Sequence, residues 1–188
     1  SNDNISWNNG TEGETHDERI IEARKRDVRA LLATLFLSQG TAMLTAGDEL
    51  GRTKHGNNNS YAQNNASAWI DWVNKDQALI DYVAELSALR LEFPLLRQED
   101  FLTPKNVNWY RADGGVMTDH DWHNHAQILG MRLHGDQCDL LVWLNAGQND
   151  VSVSLPEDVA WHHVLSSTES ESINQVARRS VVILKSDA

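Results

Sequence analysis

Cysteine is almost absent: Cys138 stands alone in 188 residues. No disulfide can form within the chain, which fits a reducing, cytoplasmic setting. Long apolar runs are missing too. The most apolar stretch, Ala30 to Leu37, sits within an amphipathic pattern and falls well short of the about 20 residues a membrane helix needs. Basic charge is in deficit, with 16 Lys and Arg against 27 Asp and Glu and a net charge of −11. Such a field repels phosphate backbones and anionic lipid, so neither nucleic acid nor a membrane is an expected partner. A neutral sugar polymer is compatible with it. The opening residues carry no signal-peptide pattern. What is present suffices for a packed core, since 40% of residues are hydrophobic and 23% charged.

Ser1 to Gly13, rich in Asn, Gly, Ser and Thr, reads as loop. A helix follows. Thr15 and Glu18 have capping-box spacing, and Ile21, Val28, Leu31, Leu32, Leu35 and Phe36 recur at helical intervals. Gly40 stands where the helix should end. Thr41 to Ala46 suits a short buried strand. The polar stretch after it, through Asn65, has little apolar periodicity, and a loop of that length is more often functional than incidental. A second helix is expected from about Asp76 to Phe93, with Leu79, Val83, Leu86 and Leu89 on one face and Pro94 as its stop.

Beyond Pro104 the pattern changes. Asn106 to Arg111, Gln127 to His134, Asp139 to Asn145, Val151 to Leu155, His162 to Leu165 and Val181 to Leu184 are short strand-like runs separated by turn residues. The class is therefore α+β, with a helical part over 1–104 and an antiparallel β-sandwich over 105–188. One strand in the first part has no hydrogen-bond partner there. Helix, strand, loop and helix is instead the order found in the last turn of a βα barrel.

The run from Arg29 to Thr41 leads into Met43-Leu44-Thr45-Ala46-Gly47-Asp48-Glu49-Leu50-Gly51-Arg52-Thr53. It passes through His55-Gly56-Asn57-Asn58-Asn59 to Tyr61 and closes on Trp69-Ile70-Asp71-Trp72. This closely resembles bacterial glycogen-debranching enzymes and isoamylases of the alpha-amylase superfamily. The triple asparagine followed by tyrosine and a tryptophan-bracketed segment is the most specific part. Asp3 to Asn8, Phe93 to Arg97, Phe101 and Met117 to Trp122 extend the resemblance over nearly the whole chain. It implies a (β/α)8 barrel followed by a small all-β domain, with Thr41 to Ala46 as the eighth barrel strand. It also implies a parent glycoside hydrolase, an α-1,6-glucosidase of the isoamylase type. That enzyme would act on glycogen or limit dextrin by a retaining mechanism, with no cofactor and no metal assigned here.

Retaining hydrolysis needs two carboxyl groups roughly 5 Å apart. The family's catalytic motifs would lie upstream of Asp3, and none is found in this chain. Adjacent Asp48 and Glu49 should diverge at a strand end, so the chain alone is expected to be inactive, with one of the two bracing the loop.

In a βα barrel the loop after a strand overhangs the active-site cleft. The candidate glucan-contacting residues are Asp48, Glu49, Arg52, Asn57, Asn58, Asn59, Tyr61 and Gln63. The asparagines either line the cleft or satisfy the loop's own backbone. Arg52 either reaches substrate or a catalytic carboxylate, or pairs with Asp48, Glu49 or another loop carboxylate. Where the family usually has cysteine-glutamine-aspartate-asparagine, this chain reads Ala62-Gln63-Asn64-Asn65.

His120, Asp121, His123 and His125 lack a recognised zinc spacing. Trp109, Trp143 and Trp161 read as sandwich core. Apolar surface on the first helices, left uncovered, would be exposed or would drive self-association. Two other functional classes stay in view: a non-catalytic glucan-binding module, and a related hydrolase of α-glucans or trehalose-ended glucans.

Overall fold

A computed structural model describes residues 7–57 and 59–187. The expected loop over residues 1–6, the resemblance carried by Asp3 to Ser6, and Asn58 lie outside the described residues.

The first helix, α1, spans Glu18–Leu37. Its N-cap is Asp17, whose carboxylate accepts from the Arg19 N–H at 3.0 Å. The expected Thr15/Glu18 box is therefore displaced by two residues: Thr15 Oγ1 accepts from the Asp17 N–H instead. Leu37 is the last helical residue and Ser38 the C-cap, so Gly40 takes its positive φ outside the helix. The carbonyls at this end are satisfied by Arg90, whose guanidinium donates to Phe36 O at 2.5 Å, Ser38 O at 2.9 Å and Gly40 O at 2.5 Å. Arg90 lies on α2, Gln77–Glu92, whose N-cap Asp76 accepts from the Leu79 N–H. Leu79, Val83, Leu86 and Leu89 are all buried, as their spacing requires, and Pro94 opens a short 3-10 turn.

Thr41 to Ala46 forms no strand. A strand exists through its ladder, and no segment among the described residues pairs with this one. Apolar residues around it stay uncovered, with Met43 82% and Leu31 69% exposed.

The second half forms strands β1 (Val107–Tyr110), β2 (Ile128–Leu133), β3 (Leu140–Asn145), β4 (Val151–Ser152), β5 (Trp161–Ser166), β6 (Gln175–Val176) and β7 (Ser180–Ser186). Five of them make one antiparallel sheet in the order β1-β2-β3-β7-β5, while β4 pairs with β6. The expected strand from Val151 to Leu155 shortens to two residues, and β6 carries too little pattern to be read from sequence.

The pleat sends alternate residues to opposite faces, and both faces are covered. Met131, Leu133, Leu140, Val142, Val181 and Ile183 pack toward α1 and α2. Leu141, Trp143, Val182 and Leu184 pack on the other side with Val153, Trp161 and Val176. Burial on both faces explains why β3 and β7 read as continuous apolar runs rather than alternating ones. Gly130 stands directly opposite Trp143 in the register, and a Cβ there would lie 2.7 Å from the indole. Only glycine leaves room for the ring.

Polar ties join the helices to the sheet. Arg179 Nε donates to buried Asp27 at 2.6 Å, and Arg29 donates to Ser167 O while stacking 3.7 Å from the Tyr82 ring centroid. At the far edge Arg132 bonds Asp139 at 2.7 Å and Asp158 at 2.8 Å.

Candidate functional site

The described residues of the segment from Ala46 to Lys75 have no regular structure beyond one 3-10 turn, Asp48–Leu50. That turn is set by glycine at both ends, Gly47 at φ 101° and Gly51 at φ 72°. A Cβ on Gly47 would also meet Arg52 Cδ at 2.6 Å. Leu50 is buried, and its carbonyl accepts from the Asp76 N–H at 3.1 Å, which ties the turn to the start of α2.

Within this frame the two acidic candidates part company. Asp48 is exposed, whereas Glu49 folds back and accepts from the Gly47 N–H at 2.9 Å. Glu49 is the residue that braces the loop. Arg52 does not pair with Asp48 or Glu49, contrary to one of the two readings of its role. Its guanidinium donates to Ala46 O at 3.2 Å and to Ala68 O, so it straps together two parts of the loop 22 positions apart. Carbonyls win because the carboxylates lie elsewhere: Glu49 is engaged by the backbone and Asp48 faces solvent.

Asn57 does both kinds of work that a self-bonded loop requires. Its Oδ1 accepts from the Asn59 N–H at 3.0 Å, and its amide donates to Gln63 Oε1 at 3.1 Å. Asn59 and Gln63 are exposed, and Tyr61 is 90% exposed. Ser60, by contrast, is buried. His55 adds an outer contact, its Nδ1 lying 3.3 Å from Glu14. The structure thus brings Asn57, Asn59 and Gln63 together and leaves Tyr61 projecting. Asn58 belongs to the same string, outside the described residues.

Sequence reasoning passed over Asn64, Trp69 and Trp72 as individual site residues. Asn64 Oδ1 accepts from the Trp69 indole N–H at 2.9 Å, while Trp69 and Trp72 remain 60% and 66% exposed. The signal that could have found them is the clustering of large rings in an otherwise polar loop.

In the histidine-rich tract His120, His123 and His125 are exposed. Asp121 accepts from the Thr118 N–H and hydroxyl, both at 2.8 Å, and from Arg111 at 3.2 Å. Among the described residues there is no group of three or more His, Cys, Asp or Glu placed to hold a metal.

The chain has relatives among known proteins. The chain is 42% identical over 159 residues to the glycogen debranching enzyme of Escherichia fergusonii, covering 84% of this chain and 24% of that enzyme. The Serratia proteamaculans glycogen debranching enzyme matches at 38% over 193 residues, covering 98% of this chain and 29% of the relative. This chain is homologous to part of the bacterial glycogen debranching enzymes. It spans about a quarter of the length of these debranching-enzyme relatives. No protein-family model matches it.

Solved structures agree on the fold. A Paenibacillus barengoltzii pullulanase, crystallised with maltohexaose and alpha-cyclodextrin, superposes with a TM-score of 0.70 at 24% identity. The match covers 89% of this chain and 26% of the pullulanase. A Nostoc punctiforme debranching enzyme superposes at 0.56 with 18% identity, over 88% of this chain and 30% of that one. The shared architecture is two helices packed on an antiparallel sheet.

Proposed function

We propose that this chain is the C-terminal part of a cytoplasmic glycogen-debranching hydrolase that cleaves α-1,6 branch linkages in glycogen or limit dextrin by a retaining mechanism. Residues 1–104 supply the last barrel segment and residues 105–188 the all-β domain that closes the core beneath it. The loop from Gly47 to Asn65 contributes Asp48, Asn57, Asn58, Asn59, Tyr61 and Gln63 to the glucan cleft, with Glu49 and Arg52 bracing its base. The catalytic carboxylates lie in the portion of the debranching relatives that this chain does not span.

The observation that carries this reading is the divergence of Asp48 and Glu49 on a loop rich in amides and exposed rings. A retaining site needs two carboxyl groups facing one bond at roughly 5 Å, and this pair cannot serve with one member turned onto its own backbone. Amides and a tyrosine suit the hydroxyls and C–H faces of a neutral sugar.

The test is a chimera in which this chain replaces the aligned stretch of the Serratia proteamaculans enzyme. Tyr61→Ala in that chimera should lower kcat/KM on glycogen limit dextrin by about tenfold, or about 1.4 kcal/mol of lost transition-state binding. Thermal stability should be unchanged, because the side chain is exposed. Unaltered kinetics would remove Tyr61 from the site.

A further inference from the structure

An exposed tryptophan is costly unless something covers it, and this loop keeps several large apolar groups in solvent within thirteen residues. Tyr61, Trp69, Trp72 and Val73 are 90%, 60%, 66% and 89% exposed. Disorder does not account for Trp69. Its indole N–H donates to Asn64 Oδ1 at 2.9 Å, and its backbone N–H donates to Asn65 O at 3.1 Å. The preceding Ala68 N–H also donates to Asn65 O, at 2.9 Å, and the Ala68 carbonyl takes the Arg52 guanidinium. The ring is held at its edge and at its backbone while much of its surface stays open.

From this geometry we infer that Trp69 is a glucan-stacking residue and Asn64 its positioning residue. The inference rests on the α-glucan reading above and names the part of the loop that grips the sugar. A pyranose presents a patch of C–H bonds on its face and hydroxyls around its rim. A flat indole matches the face, and loop amides such as those of Asn59 and Gln63 match the rim. Because the N–H bond to Asn64 is made before ligand arrives, little rotamer freedom is lost on stacking. The same bond explains why a neutral residue is sufficient here. Position 64 has only to accept one hydrogen bond, and asparagine does that without charge.

The competing occupant is a protein surface, in which case the ring would ignore free sugar. Maltohexaose separates the two. The indole N–H signals of the 188-residue chain are followed by NMR during titration with maltohexaose, Trp69 being assigned through its loss in Trp69→Phe. The Trp69 signal should shift on titration while that of fully buried Trp143 stays put. Trp69→Ala should weaken the affinity about tenfold, the loss of one good stacking contact. Asn64→Leu should weaken it several-fold and move the free Trp69 signal. Asn64→Asp, which keeps the acceptor oxygen, should bind maltohexaose as tightly as wild type. A chain that binds no maltohexaose, or a Trp69→Ala variant that binds as wild type, overturns the inference. The two readings fail separately. A chimera that cannot debranch would sink the enzyme assignment even if Trp69 binds glucan, and a debranching chimera indifferent to Trp69→Ala would sink only this one.

Discussion

Arg52 shows how a single side chain decides what a loop is for. Its charge invites an ion pair with Asp48 or Glu49, yet its planar fork fits two carbonyls from separate parts of the loop, and those bonds tie the backbone next to Trp69 to the start of the loop. Position 139 shows the opposite case, where charge is used as charge. Burial pushes the Asp139 carboxyl up, but the Arg132 guanidinium and the Gly135 N–H outweigh it and hold the group below its ordinary value. A depressed folded pKa stabilises the protein above the unfolded value of about 3.9 and ceases to do so as pH falls through the folded one. Asp139→Asn should therefore cost about 1.5–3 kcal/mol at pH 7, seen as a fall in Tm of several degrees. The deficit should shrink on acidification below about pH 4, where the wild-type carboxyl also loses its charge. A deficit unchanged between pH 7 and pH 3 would mean that the pair is not what stabilises this edge.

Among the elements, α2 was the most legible, because its apolar stripe lies wholly in the core it shares with α1 and the sheet, and Asp76 and Pro94 mark its ends. For α1 the spacing of the apolar residues indicated a helix correctly, but of those residues Leu32 is buried while Val28 and Leu31 are exposed. A sequence shows periodicity; it does not show what lies opposite. The same limit explains Thr41 to Ala46, whose apolar character promises a strand only if a neighbour supplies the ladder. Strand β6 was missed for the converse reason, being too short to carry alternation. The end of α1 was illegible because its cap comes from Arg90, more than fifty positions away. Three carbonyls bonded by one guanidinium favour a marked effect. Arg90→Ala should lower stability by about 1.5–3 kcal/mol and speed amide exchange in the last turn of α1. Loss of stability without faster exchange there would place the effect elsewhere.

Across the whole molecule, core and chemistry are divided differently. One apolar core joins α1 and α2 to the sheet, so the helical part does not stand as a bare fragment. The loop from Ala46 to Lys75 hangs outside that core with its rings and amides in solvent. The acidic composition weighed against nucleic acid and membrane as expected partners, and the Asn-rich string pointed to the debranching relatives. The positions of Asn64 and Trp69 could not be read in advance, because a hydrogen bond between side chains five residues apart in a loop has no periodic signature. The central claim is that this chain carries glucan-contacting groups of a debranching enzyme but not its catalytic pair. Release of reducing ends from glycogen limit dextrin tests it most directly, run side by side on the isolated chain and on the Serratia chimera. Release by the chimera and none by the folded chain is the predicted result. Release by the isolated chain that disappears in Asp48→Asn or Glu49→Gln, or a folded chimera that releases nothing, would contradict it.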